Sequence, residues 1–160
     1  GSLVWMPGSG QSGLLASAPT QGTPNRPGCG ILYRIGKHDG NSSIASVALA
    51  TLLGSSVGEF FPAAAASFSS SAGPILVLGS PGAEAGAGAV FVMNGAVEGQ
   101  VDLATLPVGA SILTGDDGQG LGAALATGDI DGDSDIDVAI LSSLEAGSTV
   151  GANTVYVVSL

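Results

Sequence analysis

Three short apolar segments share one pattern: GILYRI at residues 30–35, GAVFVM at residues 88–93 and NTVYVV at residues 153–158. An aromatic residue stands at the same place in each of them (Tyr33, Phe91 and Tyr156). Like the other apolar runs, they are short, rich in Val, Ile and Leu, and bounded by Gly, Ser, Pro and Asn, which is typical of β-strands. The sequence therefore predicts an all-β fold built from many short strands.

These segments belong to a longer repeat with a period of about 62 residues, which aligns Leu14, Leu76 and Val138. A unit of this length with three or four strands predicts a propeller blade or another stacked β unit. The predicted repeats are residues 1–58, 59–119 and 120–160. A β-sandwich whose strands resemble one another by coincidence is the alternative.

Each repeat is predicted to contain three antiparallel strands, and the first two repeats a fourth. The first strands are expected at residues 2–6, 59–68 and 121–128, the second at 13–18, 75–80 and 136–142, and the third at 31–35, 89–93 and 153–158. A fourth, outer strand is expected near 43–50 and 99–106 only.

Composition and charge exclude several classes of protein. Of the 160 residues 27 are Gly, and 45% are hydrophobic, which is too apolar for a disordered acidic tail. Charged residues are only 10% of the chain, which argues against a helical bundle or coiled coil. The net charge is −10 and only three residues are basic, so we expect no nucleic-acid partner.

The main chemical signal is the acidic segment GDIDGDSDID at residues 128–137, directly before the apolar run VAIL. Carboxylates alternate along it, and several oxygens in one tight turn are the ligands that Ca²⁺ requires. Without a cation, each close pair of carboxylates would repel by about 1–4 kcal/mol. The candidate metal residues are Asp129, Asp131, Asp133, Asp135 and Asp137.

Two other kinds of metal site fit this segment less well. An EF-hand needs a Glu at position 12 of the loop, where this chain has Ile140. Mg²⁺ prefers a nearly ideal octahedron that retains water, so it fits a single short loop less well. A solvated acidic turn without an ion is the remaining alternative.

The corresponding turns of the other repeats lack these acids. A shift of 62 residues places Ser67, Ser69, Ser71 and Ile75 in the second repeat, and the first repeat has Trp5, Pro7, Ser9 and Gly13. Only the third repeat is therefore expected to bind metal.

With these motifs the chain resembles the FG-GAP repeats of integrin α-subunit β-propellers. The acidic segment matches the calcium loop of the family, and residues 120–122 stand where the family has Phe-Gly. Residues 17–19, Ser-Ala-Pro, and 79–81, Gly-Ser-Pro, resemble its Gly-Ala-Pro motif, of which residues 141–143 are a more distant version. The resemblance extends loosely over the whole chain.

This resemblance implies a ligand set and a departure from the family. The ligands would be the side chains of Asp129, Asp131, Asp133 and Asp137 and the main-chain carbonyl of Asp135. Ser134 replaces the Gly that the family usually has in a left-handed conformation, which is sterically unfavourable for Ser. The ion would have a structural role, clamping the hairpin between the first and second strands.

The repeat number predicts an incomplete ring. The chain is long enough for about 2.6 blades, whereas propellers close with about 4 to 8. Strands at both ends would keep unpaired backbone groups, so we expect a protein partner or self-association there, with exposed apolar residues at 2–6 and 153–160.

Two functions are consistent with this sequence. The first is a noncatalytic, calcium-stabilised segment for adhesion or assembly, extracellular or on a cell surface. The second is an accessory or substrate-binding part of a secreted hydrolase. The chain itself is expected not to be an enzyme, because its one histidine, His38, lies in a turn typical of a solvated surface residue.

Smaller expectations concern single residues. Cys29, the one cysteine, is expected to be a buried thiol. Asn41 begins a formal glycosylation sequon, so a glycan there is possible on sequence grounds. No apolar run approaches the about 18 residues of a membrane span.

Overall fold

The computed structural model describes residues 1–7, 13–143 and 153–159, and most strands predicted from the sequence are present in it. The strand expected at 59–68 begins only at Ala64, and the strand expected near 99–106 ends at Asp102. Within these ranges the protein is all-β, with three sheets and two helical turns, α1 (Ile44–Val47) and α2 (Ala83–Gly86). The strands are β1 (Leu3–Met6), β2 (Gly13–Ala18), β3 (Ile31–Ile35), β4 (Ala48–Leu53), β5 (Ala64–Ser70), β6 (Gly73–Ser80), β7 (Ala89–Asn94), β8 (Gly99–Asp102), β9 (Ser111–Thr114), β10 (Leu121–Gly128), β11 (Asp137–Ser142) and β12 (Val155–Ser159).

Each sheet is built mainly from strands that follow one another in the chain. The first sheet has the order β1-β2-β3-β4-β8, the second β5-β6-β7-β9 and the third β10-β11-β12. All neighbouring strands are antiparallel except β4 and β8. Short apolar runs separated by Gly-rich turns favour this arrangement, because a tight turn returns the chain beside the strand it has just left.

The fourth strands differ from the sequence prediction. Residues 44–47 form α1, and the strand that follows is β4, at Ala48–Leu53. The strand expected near 99–106 in the second repeat exists as β8, but it pairs in parallel with β4 in the first sheet. The second sheet instead takes β9 as its fourth strand.

Two arginines hold β8 in the first sheet. Arg26 makes a bidentate ion pair with Asp102, and its Nη1 also donates to the carbonyl of Gly54 at 2.7 Å. The buried Arg34 in β3 donates from Nη1 to the carbonyl of Val97, just before β8, at 2.9 Å. Two of the three basic residues of the chain are therefore used to attach residues 97–102 to the first sheet.

The second sheet lies between the other two and is covered on both faces. Side chains alternate along β6, so Leu76 and Leu78 join the core shared with the first sheet, while Val77 joins the core shared with the third. In β7, likewise, Phe91 joins the core shared with the first sheet and Val90 joins the core shared with the third.

Contacts between the sheets are close near their first strands. The hydroxyl of Ser67 in β5 donates to the carbonyl of Trp5 in β1 at 2.8 Å, and β10 packs against β5 and β6. Where the second and third sheets meet, Gly79 of β6 lies against Gly122 of β10. A Cβ atom added to Gly79 would be 2.1 Å from the Gly122 carbonyl oxygen. The small residues of the sequence thus permit sheets to approach backbone to backbone.

Candidate metal centre

The turn between β10 and β11 is folded by its own aspartates. Asp129 accepts the backbone N–H of Gly132 on Oδ1 at 2.6 Å and that of Ser134 on Oδ2 at 3.1 Å. Asp131 accepts the N–H of Asp133 at 3.2 Å, and Asp133 accepts that of Asp135 at 2.8 Å. Such local carboxylate-to-backbone bonds are typical of Asp in turns.

The turn also requires two left-handed residues, Gly132 with φ 86° and Ser134 with φ 76°. The left-handed conformation expected at Ser134 is therefore confirmed. Its cost to a residue with a Cβ atom is about 1–2 kcal/mol, and the surrounding hydrogen bonds must offset it.

Three of the predicted aspartates come together at the base of this turn. One carboxylate oxygen each from Asp129, Asp131 and Asp137 lies within 4.8 Å of the other two. Asp129 and Asp131 are exposed, whereas Asp137 is only 1% exposed. Among the described residues this is the one such group of potential metal ligands.

Asp137 is fixed by a neighbouring strand. The hydroxyl of Ser159 in β12 donates to its Oδ1 at 2.6 Å, and the backbone N–H of Ile130 donates to its Oδ2 at 2.8 Å. The Ser159 hydroxyl, followed by the Ile130 N–H, lowers the pKa of Asp137 below its usual value, although burial opposes the effect. The carboxylate is thus held in its charged form and points from β11 towards the turn.

Asp133 and Asp135 do not join the group formed by the other three aspartates. Both are exposed and neither belongs to the group of converging oxygens. The Asp133 carboxylate caps the N–H of Asp135. The ligand roles that the resemblance implies for these two residues stay predictions.

The three converging residues are spaced so that they could hold a metal ion. Two oxygens that bind one Ca²⁺ at 2.3–2.6 Å are at most about 5 Å apart, so ligands within 4.8 Å of one another can share an ion. Each carboxylate oxygen has two acceptor lone pairs, and the N–H bonds described above occupy only part of that capacity. The donors to these carboxylates are backbone N–H groups and one hydroxyl, which carry no positive charge to balance them.

The corresponding turn in the second sheet, between β5 and β6, is built from serine. Ser70 donates from its hydroxyl to the carbonyl of Gly73 at 2.9 Å and accepts the N–H of Ala72 at 3.2 Å. In the first sheet the equivalent turn contains residues 8–12, including Ser9, which lie outside the described residues.

Sequence reasoning missed two residues at the ends of the third sheet, Ser159 at the end that carries the acidic turn and Gln119 at the opposite end. Ser159 gave no signal, because a serine near the end of a strand forms no motif with an aspartate 22 residues earlier. Gln119 accepts the N–H of Asp116 and donates to the hydroxyl of Tyr156, which ties β12 to the segment before β10. Only the register of β11 and β12 brings these groups together.

The structure also places the single residues about which the sequence gave an expectation. His38 is exposed as expected, with Nε2 at 2.9 Å from Oγ of the exposed Ser42. Cys29 is a buried free thiol, as expected. Asn41 is exposed, and among the described residues no helix has the length and apolar character needed to cross a membrane.

Comparison with protein-family models and with curated protein sequences gives no match to this chain. The FG-GAP resemblance therefore depends on the residues quoted above, and it stays a prediction.

Proposed function

We propose that the chain is a noncatalytic, calcium-stabilised segment of an FG-GAP-type β-propeller, which acts outside the cell in adhesion or assembly and is completed by further repeats or other chains. The observation that carries this proposal is the convergence of Asp129, Asp131 and Asp137 in the turn that joins the first two strands of the third sheet.

The sheet architecture supports a blade-like arrangement. Each sheet begins with antiparallel neighbours taken in chain order, and the second sheet is packed on both faces. The first strands of successive sheets are neighbours, β1 with β5 and β5 with β10. These are the relations expected of successive blades around an axis.

The role proposed for calcium is structural. Asp129 and Asp131 belong to the turn, while Asp137 belongs to β11 and is bonded to Ser159 of β12. An ion held by all three would connect the turn to two strands of the third sheet and offset the repulsion between the carboxylates. The exposure of two of the three ligands suits the weak binding, about 10⁻⁴–10⁻³ M, of extracellular calcium modules.

Calorimetry with Ca²⁺ on the 160-residue chain tests this proposal. We expect one ion per chain with a dissociation constant near the millimolar range, and no saturable heat with Asp131→Asn, which removes one ligand charge with little change in shape. Calcium at ten times the dissociation constant should stabilise the fold by about 1.4 kcal/mol, which raises Tm by about 4 °C.

The matched control is Asp117→Asn, an exposed aspartate outside the turn, which should bind calcium like the unmodified chain. Equal binding by the Asp131 variant and the control would remove the proposed site. Asp133→Asn then tests whether Asp133 is also a ligand, as the resemblance implies. Loss of the saturable heat of calcium binding in this variant would mean that it is.

A further inference from the structure

The contact between the second and third sheets repeats the backbone pattern of the contact between the first and second sheets. In the earlier contact the N–H of Phe61 donates to the carbonyl of Cys29 at 3.1 Å. In the later contact the N–H of Leu121 donates to the carbonyl of Ala87 at 3.0 Å. Leu121 therefore occupies in the later contact the position that Phe61 occupies in the earlier one.

The strand registers identify a second equivalent pair, Phe91 in β7 and Tyr156 in β12. Phe91 lies opposite Leu78 in β6, and Tyr156 lies opposite Ile140 in β11. Phe91 makes an edge-to-face contact with Phe61, with ring centroids 5.8 Å apart, and is only 1% exposed. Tyr156 has no such ring at the position of Phe61 and is 39% exposed.

A further difference enlarges the space beside Tyr156. Met93 lies opposite Leu76 in the second sheet and is buried, whereas the residue opposite Val138 in the third sheet is the smaller Val158. Two large side chains of the earlier contact thus have smaller equivalents in the later one. Side-chain volume that is missing from an interior leaves a cavity where the surroundings do not collapse.

A cavity of about 230 Å³ lies at this place. Its apolar walls are Leu113 of β9, Leu121 of β10, Ile140 of β11 and Val158 of β12. These strands belong to the second and third sheets, so the cavity lies between two sheets. An apolar cavity of about 150 Å³ is large enough to bind benzene, so this one has room for an aromatic ring and a small substituent.

Polar groups also line the cavity, at Thr114, Asp116, Gln119 and Tyr156. Gln119 is only 4% exposed. Its Oε1 accepts the N–H of Asp116 at 2.9 Å, and its Nε2 donates to the hydroxyl of Tyr156, which fixes the amide. The Gln119 Oε1 has a second lone pair and the Tyr156 hydroxyl can donate its hydrogen, so a ligand hydroxyl can both donate and accept here.

Charge selects against acidic ligands in this cavity. Asp116 lines it and is exposed, and Asp117 is the next residue. All three Lys and Arg residues of the chain lie at positions 26–37, in the first repeat. An anionic ligand would therefore meet a like charge, which is unfavourable, whereas a neutral ligand would not.

We propose that the cavity between the second and third sheets binds a neutral aromatic alcohol of one ring, with the ring among Leu113, Leu121 and Ile140 and the hydroxyl beside Gln119 and Tyr156. The ring of the ligand takes the place that the ring of Phe61 has in the earlier contact. The acidic turn supplies no wall of this cavity, so the site requires neither calcium nor the proposed assembly.

Titration of the isotope-labelled 160-residue chain with benzyl alcohol, followed by NMR, tests the site. We expect saturable shifts of the backbone N–H signals of residues 113–121 and 156–158, with a dissociation constant of about 1 mM for a ligand of this size. Benzoate, an anion of similar size, should bind at least about 10-fold more weakly. The absence of saturable shifts with benzyl alcohol up to about 50 mM, or equal affinity for benzoate, would overturn the proposal.

Two variants fill the cavity from different walls. Leu121→Phe introduces the ring that Phe61 supplies in the earlier contact, and Val158→Met introduces the side chain equivalent to Met93. Each should weaken the binding of benzyl alcohol at least about 10-fold while thermal unfolding shows a folded chain. Unchanged affinity in either folded variant would place the ligand elsewhere and overturn the proposal.

Ile112→Phe is the matched control, because it adds a ring to the same strand as Leu113 but on the opposite face. Ile112 lies opposite Phe91 and is 43% exposed. This variant should bind benzyl alcohol like the unmodified chain, and a loss equal to that of Leu121→Phe would overturn the proposal.

Tyr156→Phe tests the hydroxyl of the ligand, because it keeps the ring that lines the cavity and removes one hydrogen-bonding group. It should weaken the binding of benzyl alcohol about 5-fold, which corresponds to one hydrogen bond. Unchanged affinity in this variant would overturn the assignment of an alcohol.

Discussion

The molecule accommodates carboxylates in two contrasting ways, at Glu59 and in the turn between β10 and β11. Glu59 lies between the first and second sheets and is 0% exposed. Its Oε2 accepts the Oγ–H of Ser55 at 2.7 Å, the N–H of Ser56 at 2.7 Å and the Oγ–H of Ser56 at 3.2 Å. Its Oε1 accepts the Oγ–H of Ser80 at 2.8 Å.

The acidic turn differs in the balance between carboxylates and donors. Glu59 is a single carboxylate with four donors, whereas Asp129, Asp131 and Asp137 converge while their donors carry no charge. A buried carboxylate is tolerated when fixed dipoles satisfy it, but several carboxylates close together repel regardless of their hydrogen bonds. Glu59 is therefore satisfied by donors of the protein itself, whereas the converging carboxylates of the turn have no opposite charge beside them among the described residues.

The largest effect should come from removing the buried carboxylate. Glu59→Ala leaves four donors without their acceptor in a closed site, and we expect the free energy of unfolding to fall by about 3 kcal/mol, with a drop in Tm of about 6–12 °C. Thermal melts should show the same loss with and without calcium. Glu98→Ala, which removes an exposed glutamate, should stay within about 0.5 kcal/mol of the unmodified chain.

Glu59→Gln separates packing from hydrogen bonding, because it keeps the volume but turns an NH₂ group towards one set of donors. A melt of this variant that matches the unmodified chain would break the comparison, since it would mean that the carboxylate is not what these donors require.

A smaller effect is expected from relieving strain in the turn. Ser134 has φ 76°, a conformation that Gly adopts without strain, so Ser134→Gly should stabilise the fold. We expect the free energy of unfolding to rise by about 0.5–1 kcal/mol, because the greater flexibility of Gly in the unfolded chain offsets part of the relieved strain. Urea denaturation in calcium buffer measures it. Ser71→Gly, in the turn between β5 and β6 and outside the positive-φ set, should give no gain; equal gains at both positions would mean that the left-handed conformation is not the cause.

The smallest effect concerns a third kind of carboxylate, Asp102, which is partly exposed and paired with Arg26. The hydrogen bond from Arg26 lowers the pKa of Asp102 below its usual value, so the pair contributes stability above that usual value and loses it as pH falls through the lowered pKa. Asp102→Asn should cost only about 0.5 kcal/mol at pH 7, because exposed ion pairs are weak. Urea denaturation from pH 7 down through the acid range should show the difference between the two chains shrink as Asp102 becomes protonated; a constant difference would contradict the electrostatic cause.

Much of the strand pattern could be predicted from the sequence. The first, second and third strands of each repeat were expected within about two residues of β1–β3, β6–β7 and β10–β12, because apolar runs bounded by glycine mark strands locally, whereas β5 begins five residues after its expected start. The acidic turn was also readable, since it is a property of about ten consecutive residues, and the left-handed conformation at Ser134 was implied by the family resemblance.

Other features had no local signal. The sequence suggested the wrong sheet for residues 99–102, because β8 is bound to the first sheet by Arg26 and Arg34, whose partners Asp102 and Val97 are more than 60 residues away in the chain. Glu59 was not singled out, because one glutamate near serines is not a motif until Ser80 is brought to it. Ser159 was not singled out either, because only the register of β11 and β12 places its hydroxyl beside Asp137.

The amino-acid sequence by itself determined the all-β class, the places of most strands and the cluster of aspartates, because hydrophobic periodicity, glycine turns and charge spacing act over a few residues. The tertiary structure decided which sheet receives β8, which three aspartates converge and how Glu59 is satisfied. These depend on contacts between segments distant in the chain, whose energies are set by packing and hydrogen-bond geometry that no short stretch of sequence contains.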